Sequence, residues 1–253
     1  MATLGQSVLV VIAAVVGSLL FMALLNRLWP CEQRRPYIDL IGWQLGILAT
    51  TYAVILGFML YAVWTSLVEA SLNVDLEANA VVELYRLAKE LPEPQRTQLH
   101  SLARSYADTV VDRDWPQMDA NQVPEQSSAI SGLMADTVTA VHAASPPEIT
   151  AHQLALEQLS SLDEHRLTRI SQSTTSLPTV LWWVLLVGGV LTITAACTLG
   201  AGNRMLQALQ VLSFSLLISL ALVAIADIHR PFHGSVRVPS DAFHRAQQSM
   251  QAR

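Results

Sequence analysis

The chain has 253 residues, of which 52% are hydrophobic and 14% are charged, and it carries a net charge of −5. A soluble globular domain of this length rarely contains so many apolar and so few charged residues. The acidic balance leaves no basic surface for nucleic acid and argues against that class of partner. The composition therefore predicts a protein that spends much of its length in a lipid bilayer.

Four stretches are uncharged and long enough to cross a bilayer, which takes about 20 helical residues. They cover residues 4–25, 40–68, 178–199 and 205–226, with approximate ends. A cleaved signal peptide is an alternative for the first stretch, but that stretch has no basic start and exceeds the usual apolar core. Because backbone groups in hydrocarbon must bond internally, we expect an all-α integral membrane protein with four transmembrane helices.

Residues 69–176 hold most of the acidic side chains and form a predicted extramembrane segment, and residues 227–253 form a C-terminal tail. After the second stretch, apolar residues recur every three or four positions, at Leu72, Leu76, Ala80, Leu84, Leu87 and Leu91. This spacing predicts one buried stripe along a helix. Since no helix-breaking residue precedes Pro92, the second span and this stripe should form one helix of about 50 residues.

The rest of the middle segment predicts three more helices. One starts near Pro94 and ends at Trp115, and a shorter one ends near Val141. Ser145, with Glu148 three residues later, forms a capping box that opens the last helix, which should lead directly into the third span. These helices can bury their apolar stripes in an antiparallel bundle that extends two of the membrane helices.

Basic residues close to the spans bear on orientation, because cytoplasmic loops carry more of them. One side holds Arg27, Arg34, Arg35 and Arg204, and the other holds Arg166, Arg169, Arg230, Arg237, Arg245 and Arg253. The larger number favours a cytoplasmic middle segment. The compact group in the first loop favours the opposite orientation, so that composition leaves both open.

Several short motifs follow one another in order along the whole chain. They are YAVILGF from Tyr52, EANA from Glu77, LYRLA from Leu84, LPEP from Leu91, DWP from Asp114, LPTVLW from Leu177 and RPFHG from Arg230. This ordered set resembles a bacterial membrane family described as bestrophin-like. The resemblance implies that residues 1–253 form a single bestrophin-like membrane domain. The positions that carry the motifs are Glu77, Arg86, Trp115, Pro178, Trp182, Pro231, Phe232 and Gly234.

Bestrophins are pentameric, mainly anion-conducting channels whose termini and extramembrane helices lie in the cytoplasm. The resemblance therefore implies a homo-oligomer, a pentamer if bestrophin-like, that passes inorganic ions across the bacterial inner membrane with its middle segment and both termini cytoplasmic. Bestrophins respond to calcium through an acidic run after Pro-Phe-Gly, but here Pro231 and Phe232 lead only to a solitary Asp241. Since calcium takes six to eight oxygen ligands, we do not expect calcium gating at this position.

If the protein is a channel, one stripe of a membrane helix should line its pore, with polar ends and an apolar middle. On the second span such a stripe comprises Gln44, Thr51, Ile55, Phe58, Ala62, Thr65 and Glu69. We hypothesise that Ile55 and Phe58 form its gate. The alternative is an ordinary packing face, because Thr and Ala also let neighbouring helices approach.

The charged side chains near this helix allow two interpretations. The acidic residues of this helix are Glu69, Asp75, Glu77 and Glu83. In an oligomer they would be repeated as acidic rings around the axis. Alternatively, they only keep the surface of the helical bundle solvated. Arg166 and Arg169, one helical turn apart, could pair with Glu77 or Glu83 or bind lipid headgroups. Pairing between helices is the preferred interpretation.

Catalysis and metal binding have little support in the sequence. His229 and His233 are four residues apart, but Pro231 between them interrupts a regular helix face, so that we expect no metal site. Neither a nucleotide-binding glycine motif nor a nucleophile–base motif occurs, and we expect no catalytic residues and no cofactor. The alternative to a channel is a membrane-anchored interaction or envelope-sensing module without an ion pathway.

Overall fold

The computed structural model describes residues 4–200 and 203–252, and Arg253, counted above for orientation, lies outside them. Within these ranges the chain forms α-helices and turns and contains no strand. The helices are α1 (Leu4–Leu28), α2 (Cys31–Arg34), α3 (Ile38–Leu87), α4 (Gln95–Thr109), α5 (Trp115–Asp119), α6 (Gln126–Thr139), α7 (Pro146–Thr174), α8 (Thr179–Thr198), α9 (Arg204–Ile228) and α10 (Asp241–Gln251).

Four of these helices, α1, α3, α8 and α9, are long and apolar enough to cross a membrane. The predicted all-α membrane fold with four spanning helices is therefore confirmed. The prediction of one long second helix is confirmed as well, since α3 runs for 50 residues without interruption. A short 3₁₀ turn at Ala88–Glu90 ends it, and Leu91 is already extended ahead of Pro92, as expected for a residue that precedes proline.

The chain divides into two compact units that share α3. The first unit contains the described residues up to Thr65 together with Ser176–His229, and the second contains Ser66–Thr175 together with the described residues from Arg230 onward. All four spanning helices contribute to the first unit. The second unit comprises the rest of α3 together with α4 to α7 and α10.

In the first unit, α3 approaches α8 closely at Tyr52. The Tyr52 hydroxyl donates a hydrogen bond to the carbonyl oxygen of Leu185, at 2.7 Å. A Cβ atom at Gly188 would lie only 2.6 Å from Cδ2 of Tyr52, so that a glycine is required for the ring to pack there. Small apolar clusters flank this contact, one around Leu45 and Val211 and the other around Val63.

The second unit has a continuous apolar core that draws on α3, α4, α6, α7 and α10. Helix α10, which lies in the stretch predicted only as a C-terminal tail, contributes Phe243, Ala246 and Met250 to this core. The capping box at the start of α7 is confirmed, because the Ser145 hydroxyl accepts from the Glu148 amide while Glu148 accepts from Ser145. Hydrogen bonds from the backbone amides of Ala144 and Ser145 hold the pKa of Glu148 below its ordinary value.

Two expectations about the middle segment are wrong. Leu72 and Leu76, predicted on the buried stripe, are 58% and 41% exposed, because steps of four residues rotate around a helix by about 40° each and carry the row off the core face. Helix α7 does not lead directly into the third span, since it ends at Thr174 and Pro178 caps a separate α8. Proline disfavours helical geometry in the residue before it, which explains the break.

Candidate functional site

The proposed pore stripe lies along α3. Five of its seven side chains are exposed, namely Gln44, Thr51, Phe58, Ala62 and Glu69, whereas Ile55 and Thr65 are half-buried. Phe58 is 70% exposed, although it is a large apolar side chain. Ile55 packs in part against the cluster around Val63 within its own chain. The chain alone therefore leaves most of this stripe uncovered.

The acidic side chains near the stripe have different surroundings from one another. Asp75 accepts a hydrogen bond from Arg245 at 2.8 Å, and Glu83 pairs with Arg86. Glu69 is exposed, but Glu77 is fully buried. The interpretation of Glu77 as part of an acidic ring is therefore wrong, because this carboxylate is held inside the second unit by an arginine.

That arginine is Arg169, and the pairing predicted between α7 and α3 is confirmed. Its Nε lies 2.7 Å from Oε2 of Glu77, and its Nη2 donates to Oε1 of Glu77 at 3.1 Å. The same Nη2 lies 3.0 Å from Oδ2 of Asp114, and the Tyr106 hydroxyl donates to Oε1 of Glu77 at 2.7 Å. The side chains of the three charged residues have no exposed surface. We call these four residues the buried charge network.

The buried charge network joins four elements of the second unit. Glu77 comes from α3, Tyr106 from α4 and Arg169 from α7, while Asp114 ends a π-helical turn, Val110–Asp114. Wide turns of this kind occur where a regular helix is disturbed, and Pro116 two residues later cannot donate a backbone hydrogen bond. The turn therefore places Asp114 beside the guanidinium at the point where α4 passes into α5.

Proton affinities in the buried charge network are strongly perturbed. Burial raises the pKa of Tyr106 well above its ordinary value, and the neighbouring charge of Glu77 raises it further. Burial alone would lower the pKa of Arg169, but the charge of Glu77 overcomes this effect and raises it. Arg169 is therefore a permanent cation that faces two carboxylates, one of which, on Asp114, keeps Oδ1 without a hydrogen-bond partner.

Aromatic side chains cover the network, and two motif positions are among them. The Trp115 ring lies 5.8 Å from Cζ of Arg169 and packs edge-on against Phe232, with ring centroids 5.8 Å apart. Phe243 of α10 contacts the same indole, at a centroid distance of 5.9 Å. The structure thus brings together three of the motif positions, Glu77, Trp115 and Phe232.

Two further motif positions shape the loop that carries Phe232. The carbonyl of Pro231 accepts from the Val238 amide at 2.8 Å, which closes the loop, and Gly234 has a φ of 108°, a conformation that favours glycine. Asp119 anchors the loop from α5, because its Oδ1 lies 2.7 Å from Nη1 of Arg237. The RPFHG motif therefore positions an aromatic side chain on the network.

The remaining motif positions lie elsewhere. Arg86 is exposed and pairs with Glu83. In the first unit Pro178 caps α8, and the Trp182 ring meets His229 edge-on at 5.6 Å. Arg166 does not pair with either of the glutamates considered for it but contacts Asp163 and Ser128. In the described ranges, no three histidine, cysteine, aspartate or glutamate side chains are grouped so that they could hold a metal ion.

Sequence reasoning missed Asp114 and Phe243 as parts of this site. The DWP motif placed Asp114 two residues before a proline, which signals an irregular helix, but nothing in the local pattern indicated its partner. The spacing of Ala242, Phe243, Ala246 and Met250 marks an amphipathic face that would have indicated a docked helix.

The fold and the site define a multi-pass helical membrane protein whose second spanning helix continues into a helical unit built around a buried ion pair. The chain belongs to the bestrophin-like family, because the model of the Bestrophin-like domain matches residues 12–243. No curated protein matches the chain.

Solved structures of a bacterial bestrophin homologue from Klebsiella pneumoniae have a similar fold. One variant is 15% identical with a TM-score of 0.69, and the match covers 94% of this chain and 98% of that one. The structure solved by zinc phasing gives 15% identity, a TM-score of 0.67, and coverage of 94% and 97%. A likeness at this identity establishes the fold.

Arg169→Met should destabilise the protein by about 3–5 kcal/mol, because it leaves the carboxylates of Glu77 and Asp114 buried without their cation. Arg86→Met is the matched control, since it removes an arginine from an exposed pair that contributes at most about 1 kcal/mol. Chemical unfolding of the purified protein in detergent measures both changes. Similar losses in the two variants would contradict the role assigned to the buried charge network.

Tyr106 should make stability fall in alkaline solution. Above pH 10 the unfolded chain releases this proton while the folded chain retains it, so that stability falls by about 1.4 kcal/mol per pH unit until the folded pKa is reached. Below pH 10 both states hold the proton, and this group adds no pH dependence. Unfolding measured against pH should show a smaller decline for Tyr106→Phe than for the wild type, whereas Tyr37→Phe, at an exposed tyrosine, should resemble the wild type.

Proposed function

We propose that the protein is a homo-oligomeric, channel-like membrane protein in which α3 of each copy lines a central ion path. The observation that carries this proposal is the stripe on α3 that its own chain leaves uncovered, with polar residues at its ends and Phe58 in its middle. Symmetry would repeat such a stripe around an axis, which is how helical channels build a pore. Membership of the bestrophin-like family supports the same arrangement.

Phe58 is the residue to which we assign the gate in particular. An exposed phenylalanine repeated around an axis forms an apolar constriction that can close by dewetting. Ile55 belongs to the same proposed constriction but packs partly against its own chain, so that Phe58 has the larger free surface. With Glu77 buried, Glu69 is the acidic residue of the stripe that an oligomer would repeat as a ring.

The proposal extends to assembly and location. A pentamer in the bacterial inner membrane, with residues 69–176 and both termini in the cytoplasm, follows from the family resemblance. Arg34 on one side of the membrane, and Arg166 and Arg169 on the other, are buried and bonded within the chain. This burial changes the comparison of basic residues on the two sides from which orientation was predicted. We assign the protein no enzymatic activity and no cofactor, and inorganic ions are its proposed substrates.

Electron microscopy of the purified protein in lipid nanodiscs tests the assembly directly. The proposal expects a ring of identical copies in which α3 lies closest to the axis and the Phe58 side chains point towards it. A monomer, or a ring whose centre is filled with lipid, would favour the membrane-anchored interaction module instead.

Phe58→Ala should increase the conductance of the protein in planar bilayers, because it widens the proposed constriction. Leu60→Ala is the matched control, since Leu60 is a similar exposed apolar residue that faces about 200° away on the same turn of α3. Its single-channel conductance should stay at the wild-type value. If Phe58→Ala conducts as the wild type does, through an assembly that demonstrably conducts, the gate assignment fails.

A further inference from the structure

A buried arginine in the first unit lacks an acidic partner. Arg34 has no exposed surface, yet no ion pair within the described residues includes it. Its Nη1 donates to the carbonyl oxygens of Cys197 and Thr198 at 3.1 and 3.0 Å, at the C-terminal end of α8. A cation is favoured there by the helix dipole, but its net positive charge is not neutralised.

Arg34 also fixes two walls of a neighbouring cavity. Its Nη2 donates to the side-chain oxygen of Asn26 and approaches Sγ of Cys31 at 3.4 Å. Asn26 is held from the other side as well, because its amide donates to Oε1 of Gln207 at 3.0 Å. These contacts join the end of α1, the short α2 and the start of α9 in one polar cluster.

The cavity has a volume of about 270 Å³, and its lining includes Asn26, Cys31, Glu32, Arg35, Gly200 and Arg204. Arg35 and Arg204 are exposed, and neither belongs to an ion pair within the described part of the chain. Glu32 is the acidic residue of the lining. Arg35 and Arg204 in the lining and Arg34 behind it are positively charged, and Glu32 neutralises one of these three charges. Two positive charges therefore remain at the cavity.

Exposed apolar side chains lie close in sequence to the residues that line this cavity, which favours a lipid as the occupant. Trp29 and Tyr37, which directly precede the lining residues Pro30 and Ile38, are exposed, and such aromatic residues prefer the headgroup level of a bilayer. Leu40, Met205 and Leu206 are exposed at the adjoining starts of α3 and α9. A headgroup in the cavity would thus have its acyl chains next to apolar surface.

We infer that this cavity binds the phosphate group of an anionic phospholipid through Arg35 and Arg204. Basic pockets between the ends of membrane helices are suited to such headgroups, because phosphate accepts several charge-assisted hydrogen bonds from arginine. The same phosphate chemistry occurs in free inorganic phosphate, and the apolar surroundings favour the lipid. The site is separate from the stripe proposed to conduct ions, so that either proposal can fail without the other.

Cys31 provides a built-in reporter, because it lines the cavity and is partly exposed whereas Cys197 is buried. The protein is placed in nanodiscs of phosphatidylcholine alone or mixed with phosphatidylglycerol. The rate at which Cys31 reacts with neutral N-ethylmaleimide is then followed by peptide mass spectrometry. We expect phosphatidylglycerol to slow the reaction several-fold, and the double variant Arg35→Gln with Arg204→Gln to abolish this protection.

Arg27→Gln is the matched control, since Arg27 is an exposed arginine near the same loop that does not line the cavity. It should retain the protection shown by the wild type. Equal slowing in all three proteins would reveal a general effect of surface charge and overturn the proposal, as would no slowing in the wild type. Comparable protection by inorganic phosphate in phosphatidylcholine nanodiscs would overturn the lipid assignment and give the cavity to a soluble anion. Thermal unfolding of each variant verifies that it is folded.

Discussion

The ion pair between Glu77 and Arg169 constrains the second unit more than any other contact described. Removing two charges from water costs several kcal/mol for each of them, and this cost is offset only where geometry and further hydrogen bonds are good. Tyr106 and Asp114 supply those bonds from α4 and from the π-helical turn. Four elements must therefore keep one mutual register, and the aromatic cover of Trp115, Phe232 and Phe243 depends on that register.

This constraint also decides which face of α3 looks outward. With Glu77 directed into the core, Val74, Val81 and Leu84 follow it inward at alternating steps of three and four residues. The opposite face then carries exposed apolar side chains such as Leu72 and Leu76.

The sequence predicted what depends on local or near-neighbour chemistry. An uninterrupted apolar run without breakers indicated the 50 residues of α3, and the Ser145 capping box marked the start of α7. The pairing of Arg169 with Glu77 was one of several options, because charge and periodicity do not specify a partner 92 positions away. Burial of Leu72 was wrongly predicted because a row of residues four positions apart drifts around the helix and leaves the core face.

The unbroken course of α3 has a mechanical consequence. The 50 residues of α3 include no proline, and a helix whose backbone hydrogen bonds continue along its whole length resists twisting. If such a helix rotates by roughly 100° about its axis, each side chain comes to point in the direction that its neighbour in sequence had before. Within the second unit, helix α10 is linked to α3 by the exposed pair of Arg245 and Asp75, so that a rotation of α3 there would carry this contact with it.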